Sequence, residues 1–212
     1  MASYARALSL GATGIEAAAW STADDVVVLR EREWLGGALR RRPIRKVIRA
    51  ELPAGVVTLP DLYAACGLEF DLALEVADDS AAEAALFAAR AAAGDAAVRR
   101  LWLIHSDWER LGEWRERWND VRLVNRATLR GLRQGPERRA AQLSAAGIDA
   151  ILLHQSEWTG GLTTLLHRFD RLAFAADARY ERIRRELVRI GIDGISTDQV
   201  ERLLGASDFP ET

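Results

Sequence analysis

Short β-prone runs alternate along this chain with longer helical runs, and this alternation constrains the fold more than any other feature. The helical runs are amphipathic or rich in alanine, and several end in glycine, which is typical of a helix C-terminus. Strand, helix and strand in repeated order favour an α/β fold with parallel strands and right-handed crossovers. The predicted strands cover residues 13–20, 70–77, 99–105, 121–125, 148–154, 170–176 and 192–197.

The residues between positions 16 and 31 break this alternation. Only STADD separates the first predicted strand from the apolar run VVVLR. A crossover helix needs about a dozen residues, so we predict an antiparallel hairpin here. The seven remaining strands are one fewer than the eight that close a (β/α)8 barrel.

Composition limits the classes of protein that the chain can belong to. With 212 residues, 49% of them hydrophobic and 28% charged, it predicts one globular domain over residues 1–212. The formal charge of -2 gives no global basic field, so we predict no nucleic-acid partner. No apolar stretch is long enough for a membrane span, and no signal peptide is recognisable. The single cysteine, Cys66, favours a reducing compartment, and we predict a cytoplasmic location.

Four stretches that lie between residues 7 and 204 carry the next signal. They are ALSLGATGIEAAAWSTADDVVV, VVTLPDLYAACG, FDLALEV and GIDGISTDQVERLL. Together, and in this order, they resemble the glycerophosphodiester phosphodiesterase family, whose fold is a TIM barrel of the PLC-like phosphodiesterase type.

The resemblance implies an α/β fold of the (β/α)8 TIM-barrel type, here lacking its first strand, with a small hairpin after the first visible strand. Met1 would fall within the family's first helix, so we expect an N-terminally truncated member. The family hydrolyses glycerophosphodiesters with a carboxylate-held divalent metal and two histidines. The metal neutralises the phosphodiester and the histidines transfer protons. Glu16 and Glu75 match metal ligands, so the cofactor would be Mg²⁺ or Ca²⁺ if the chain is active.

Several positions depart from the family pattern. Ala18 stands where the second carboxylate of the metal pair belongs, and Ala77 replaces the family's lysine. Arg30 and Glu31 occupy the place of its histidine–aspartate pair, and Ala176 that of a tryptophan. The opening segment with the other histidine has no counterpart. We therefore expect a catalytically degenerate protein, a pseudoenzyme, because each acid–base group is worth roughly 10²- to 10⁴-fold in rate.

Polar residues still gather at the predicted strand ends, and two interpretations stay open for them. They are either a relocated Zn²⁺ or Mn²⁺ site with His105 or His154 as the acid–base group, or remnants that cap the strands. Trp158, in HQSEWTGGL, is predicted to lie in a loop that closes over a ligand, with Asp177 and Asp198 as further binding residues. The full set is Glu16, Glu75, His105, Asn125, His154, Asp177 and Asp198.

Three further features bear on partners. The tryptophans of DWERLGEWRERW, at positions 108, 114 and 118, predict either helix packing or a partner surface. The cluster RRRPIRK predicts a solvated loop or a phosphate-binding patch, and His167 a helix surface. An incomplete barrel leaves exposed strand edges, so we predict a homodimer or a protein partner that covers them.

Three functions remain open at this point. The chain would bind a ligand or partner as a degenerate phosphodiesterase of glycerophospholipid metabolism, hydrolyse glycerophosphodiesters through Glu16 and Glu75, or serve as a purely structural interaction protein.

Overall fold

The computed structural model describes residues 1–37 and 41–199. Their backbone forms two compact units. The first comprises Met1–Ser9, Thr13–Ile104 and Asp120–Arg122, and the second contains the other described residues. Within the described residues, no helix is both long and apolar enough to cross a membrane.

The first unit is built around a mixed sheet whose strands run in the order β5-β2-β1-β6-β7. β1 pairs with β6 and β6 with β7 in parallel, whereas β2 pairs with β1 and β5 in antiparallel fashion. The hairpin predicted between residues 16 and 31 is therefore confirmed. In chain order the elements are α1 (Ala2–Ser9), β1 (Gly14–Ser21), β2 (Val27–Leu29), β3 (Trp34–Leu35), β4 (Arg42–Pro43), β5 (Val57–Thr58), α2 (Leu59–Cys66), β6 (Asp71–Val76), α3 (Asp79–Ala93), α4 (Asp95–Arg99) and β7 (Leu101–His105).

Local sequence signals explain where these helices begin and end. α2 starts at a capping box in which the Thr58 hydroxyl accepts the Asp61 N–H and the Asp61 carboxylate accepts the Thr58 N–H. α3 starts at Asp78, whose carboxylate accepts the Ala81 N–H at 2.9 Å, and stops at Gly94 with φ of 58°. Alanines of α3 pack into the core with no exposed surface, among them Ala82, Ala85 and Ala89.

The second unit contains four parallel strands in the order β8-β9-β10-β11. Each strand is followed or preceded by an amphipathic helix, as the alternating sequence pattern predicts. Its elements are α5 (Trp108–Arg117), β8 (Arg122–Arg126), α6 (Pro136–Ala145), β9 (Ala150–His154), α7 (Gly160–Arg168), β10 (Leu172–Ala176), α8 (Glu181–Arg189) and β11 (Gly194–Ile195).

The Gly-Ile-Asp sequence occurs before both β9 and β11, and it makes the same contacts at both places. At the first, the Asp149 carboxylate accepts the N–H of Leu123 and Nη2 of Arg115, each at 2.7 Å. At the second, Asp193 accepts the N–H of Ala173 at 2.7 Å and lies 2.8 Å from Nε2 of His167. Each aspartate thus fixes the start of the preceding strand in the sheet.

All seven predicted parallel strands are present, and their ends differ from the prediction by at most two residues. The end of the GIDGISTDQVERLL stretch, from residue 200 on, lies outside the described residues. The single-domain organisation predicted for the chain stays a prediction.

Candidate functional site

Glu16 of β1 and Glu75 of β6, the expected metal ligands, lie on the same face of the first unit's sheet. In the register of this parallel pair, Glu16 is opposite Ala73 and Glu75 is opposite Ala18. Because side chains alternate along a strand, all four point to one side. The two glutamates are therefore diagonal neighbours, with Cα atoms about 8 Å apart. Glu16 is exposed and Glu75 is half-buried.

Ala18 lies between these two carboxylates, where the resemblance expects a third. No group of three or more His, Cys, Asp or Glu side chains that could hold a metal ion occurs among residues 1–37 and 41–199. Mg²⁺ and Ca²⁺ sites take six or more oxygen ligands, and with two carboxylates most of them would have to be water or substrate. The two carboxylates are one fewer than the resemblance expects, and a metal site at Glu16 and Glu75 stays a prediction.

Two further departures from the family pattern, at Arg30 and Ala77, also lie in the first unit, whereas Ala176 ends β10 in the second unit. Arg30, at the position of the family's histidine, donates its backbone N–H to the Ala18 carbonyl at 2.9 Å. Its own carbonyl accepts Nε1 of Trp20 at 2.9 Å. These bonds hold the end of the hairpin against β1. Ala77 is exposed directly after β6, and neither residue has the functional group that it replaces, an imidazole at position 30 and an amine at position 77.

In the second unit, His154 is the last residue of β9 and Asp177 directly follows β10. Their side chains lie close to each other. Nε2 of His154 is 3.5 Å from Oδ2 of Asp177, and Nδ1 is 2.7 Å from Oγ of Ser156. The backbone N–H of Ser156 also donates to Nδ1, at 3.3 Å. A neutral imidazole whose Nδ1 accepts carries its proton on Nε2, directed at Asp177.

Arg179 joins this cluster to Asp198. Its Nε donates to Oδ1 of Asp177 at 2.6 Å and lies 3.7 Å from Oδ1 of Asp198. The hydrogen bond from Arg179 is the main cause of a lowered Asp177 pKa, and the nearby His154 lowers it further. All these side chains are exposed to between 43% and 62%, so solvent screens their interactions.

A buried arginine bonds to the backbone directly after Asp177. Asp177 has a left-handed φ of 63°, uncommon for a residue other than glycine. Arg184 of α8 is 1% exposed, and its Nη1 donates to the carbonyls of Ala178 and Arg179 at 3.2 and 3.1 Å. No sequence pattern indicates this role, because an arginine in an amphipathic helix predicts a solvent-facing position. Arg179 and Ser156 likewise carry no distinguishing sequence signal.

His105 and Asn125 contact helices of the second unit. The ring of His105 lies 5.4 Å from that of Trp114 in α5, and its Nδ1 accepts the Asp107 N–H at 3.0 Å. Asn125 has no exposed surface. Its amide donates to the carbonyls of His105 and Ser106, at 3.3 and 3.0 Å, and its Oδ1 accepts Nη1 of Arg139 at 2.9 Å. These contacts satisfy buried polar groups, which is a structural task.

Trp158 is buried and does not extend into a loop over an open site. It is 7% exposed, and its Nε1 donates to the carbonyl of Phe174 in β10 at 3.1 Å. The expected mouth-loop position is thereby corrected: an indole that packs in the core with its one N–H satisfied is a typical buried tryptophan. A role of Trp158 in ligand binding stays a prediction.

The two tryptophans of α5 and Trp118, which directly follows it, differ from one another in exposure. Trp114 has no exposed surface, while Trp108 and Trp118 are half-buried. Trp118 lies 5.9 Å from Trp114, and Arg139 lies over Trp108 at 5.3 Å. Packing thus accounts for most of this aromatic surface. His167 lies in α7 with its side chain 41% exposed, as predicted for a helix surface.

Neither a protein-family model nor a curated protein matches the sequence. Solved structures, in contrast, resemble it over most of its length. A glycerophosphodiester phosphodiesterase from Thermotoga maritima is 18% identical with a TM-score of 0.79, covering 95% of this chain and 88% of that chain. An Oleispira antarctica phosphodiesterase in complex with the product sn-glycerol-3-phosphate is 16% identical with a TM-score of 0.76, covering 98% and 90%.

A further phosphodiesterase structure, described as a glycerophosphoryl diester phosphodiesterase of Agrobacterium tumefaciens, has a TM-score of 0.78 at 14% identity and covers 94% of this chain and 87% of that chain. The chain therefore has the TIM-type fold of glycerophosphodiester phosphodiesterases, with a small antiparallel hairpin, and the predicted fold class is confirmed. At these identities the likeness shows the fold, and function has to be argued from the site.

Proposed function

We propose that the chain is a degenerate glycerophosphodiester phosphodiesterase that binds a phosphorylated or polyol ligand, or a protein partner, and does not hydrolyse glycerophosphodiesters. One observation carries the proposal. Ala18 is paired in register with Glu75, so the position between the two expected metal ligands holds a methyl group. A phosphodiester anion repels its nucleophile unless that charge is neutralised, and the residues here do not provide a third metal ligand.

The first experiment measures hydrolysis of glycerophosphocholine and glycerophosphoglycerol with Mg²⁺, Ca²⁺, Mn²⁺ and Zn²⁺ in turn. Glu16→Ala and Glu75→Ala variants run beside the parent protein. We expect no turnover above that of the variants with any metal. Metal-dependent turnover that both substitutions abolish would overturn the proposal.

A gain-of-ligand variant tests the same observation without an activity readout. Ala18→Asp places a carboxylate beside Glu75, and we expect calorimetry to detect Ca²⁺ or Mg²⁺ binding that the parent protein lacks. Ala18→Asn is the matched control, because it has the same shape without the charge. Equal metal binding by the parent and Ala18→Asp would show that the alanine does not limit the site.

Ligand binding is measured with sn-glycerol-3-phosphate and with glycerol, because the former is the product bound by the Oleispira antarctica relative. Arg179, which follows β10 and contacts the same Asp177 carboxylate as His154, is a cation that could meet a phosphate. We expect Arg179→Gln to weaken phosphate binding about tenfold or more, as loss of a charge-assisted hydrogen bond does. If the protein binds neither compound, the small-molecule ligand is excluded and the proposal is left with a protein partner.

The second candidate function is a working phosphodiesterase that has recruited His154. The contact between Nε2 of His154 and Asp177 favours it, because a carboxylate that orients an imidazole is a common arrangement in general acid–base catalysis. His154→Gln, added to the hydrolysis series, would abolish turnover if this candidate is correct. A purely structural role is the third candidate, in which substitutions on α5 disturb function and those at the strand ends do not.

A homodimer or a protein partner remains part of the proposal, and light scattering at micromolar concentration tests it. A monodisperse monomer would contradict the homodimer. A cytoplasmic location is proposed from the single cysteine, Cys66.

A further inference from the structure

The segment of residues 41–49 concentrates positive charge in a chain whose overall charge is negative. It contains five cationic side chains and no carboxylate, whereas the formal charge of the chain is -2. The Debye length is about 8 Å at physiological ionic strength, so a molecule at the surface responds to nearby charges and not to the net charge. Although the total charge of the chain is near neutral, positive charge is thus concentrated in this stretch, called here the basic segment.

A small hydrophobic core fixes the basic segment to the first unit. Leu35, Ile44 and Val47 are buried against Val28 of β2. The Ile44 N–H donates to the carbonyl of Glu33 at 2.8 Å, and β3 pairs with β4. Residues next to these buried ones in sequence, among them Trp34, Arg45, Lys46 and Ile48, are exposed.

The outward-facing residues are both cationic and apolar. Trp34 is 40% exposed and Ile48 is 45% exposed. They are two of the four exposed large hydrophobic residues in the described part of the chain. All five cations of the segment are exposed. Arg42 pairs with Glu51 at 2.8 Å and Arg49 with Asp61 at 3.1 Å. The structure gives neither Arg45 nor Lys46 an ion pair with another described residue.

We propose that the basic segment, with Trp34 and Ile48, is a docking surface for an anionic lipid bilayer. Clustered Lys and Arg side chains are attracted by the negative surface potential of such a bilayer. Tryptophan is favoured at the interface between headgroups and acyl chains, and an exposed isoleucine such as Ile48 can bury apolar surface there. A nucleic acid would use the cations but offers little to Ile48, so the exposed apolar residues favour lipid.

Hydrogen bonds attach the basic segment to the residues that directly follow β1. The Ala23 N–H donates to the carbonyl of Val47 at 2.8 Å, and the carboxylate of Asp24 accepts the Arg49 N–H at 3.0 Å. Docking would therefore bring the strand that carries Glu16 close to phospholipid headgroups, which are themselves phosphodiesters. The inference goes beyond the proposed function and does not depend on it, because it concerns no ligand at the strand ends.

Vesicle flotation with the full chain tests the proposal. Vesicles of phosphatidylcholine alone are compared with vesicles that contain about a third phosphatidylglycerol, at 0.1 M and 0.5 M NaCl. We expect binding to the anionic vesicles alone, weakened at high salt. Arg45→Gln with Lys46→Gln should lower the partition coefficient about 25-fold, which is about fivefold per cation removed. Trp34→Ser with Ile48→Ser should lower it about tenfold or more.

Matched controls come from the second unit and from α3. Arg138→Gln with Arg182→Gln removes the same charge from exposed positions, and Phe87→Ser removes an aromatic ring that is 75% exposed. We expect these variants to bind vesicles as the parent protein does, with all variants checked for folding by circular dichroism. Absence of binding to anionic vesicles, or equal loss in the control variants, would overturn the proposal. Binding of a single-stranded oligonucleotide, but not of vesicles, with loss in the Arg45 and Lys46 variant would assign the surface to nucleic acid instead.

Discussion

At the scale of single residues, two carboxylates that accept backbone N–H groups hold neighbouring strands of the second unit together. Asp149 and Asp193 each accept a backbone N–H of the preceding strand and contact one basic side chain. A charged acceptor that is partly withdrawn from solvent contributes more than a neutral hydrogen bond. The same sequence, Gly-Ile-Asp, provides this contact twice.

Substitution of Asp149 by alanine tests that contribution. We expect Asp149→Ala to lower the free energy of unfolding by about 2–3 kcal/mol, because the Leu123 N–H and Arg115 both lose a charged partner. Urea denaturation followed by circular dichroism measures it. Glu83→Ala, on the exposed side of α3, is the control and should change stability by no more than about 0.5 kcal/mol. Equal effects of the two substitutions would show that Asp149 contributes nothing special.

At the scale of elements, close packing between neighbouring strands decides which side chains are tolerated. Gly194 of β11 is in register with Phe174 of β10. A Cβ atom at position 194 would lie 2.8 Å from Cδ1 of the Phe174 ring. Glycine is therefore required by the ring on the neighbouring strand, since no left-handed φ is involved.

We expect Gly194→Ala to destabilise the protein by about 1–3 kcal/mol through overpacking. Phe174→Leu in the same chain should recover part of this loss, because the smaller side chain leaves room for the methyl group. A double-mutant cycle of unfolding free energies measures the coupling. Gly37→Ala, at a glycine with no atom within 4 Å of the added Cβ, is the matched control. Purely additive effects at positions 194 and 174 would contradict the proposed contact.

At the scale of the whole molecule, several exposed carboxylates are bonded to partners that favour their charged form. The pKa of Asp24 is lowered chiefly by the Thr22 hydroxyl, that of Asp177 by Arg179 and that of Glu186 by Arg189. A carboxylate with a lowered pKa in the folded state stabilises the fold above its unfolded-state pKa, which is near 4. That contribution disappears as the pH falls through the folded-state value.

We accordingly expect the melting temperature to fall as the pH is lowered from about 5 towards 2. Arg179→Gln together with Arg189→Gln should reduce the slope in this range, because two of the three carboxylates then lose the partner that lowers their pKa. Differential scanning fluorimetry across the pH series measures it, with Arg138→Gln and Arg182→Gln as a variant of equal charge. An unchanged slope in the Arg179 and Arg189 variant would show that these pairs do not link pH to stability.

The sequence by itself determined the strand and helix order, the hairpin and the absence of key family residues. These follow from local patterns: periodicity predicts elements, five intervening residues exclude a crossover, and Ala18 or Arg30 cannot act as the groups that they replace. The tertiary structure decided where polar and aromatic residues point. His105 and Asn125 contact helices, Trp158 is buried and bonds to the backbone of β10, and Arg184 is buried. Side chains alternate along a strand, so a shift of one residue moves them to the opposite face, and burial depends on neighbours that are distant in sequence.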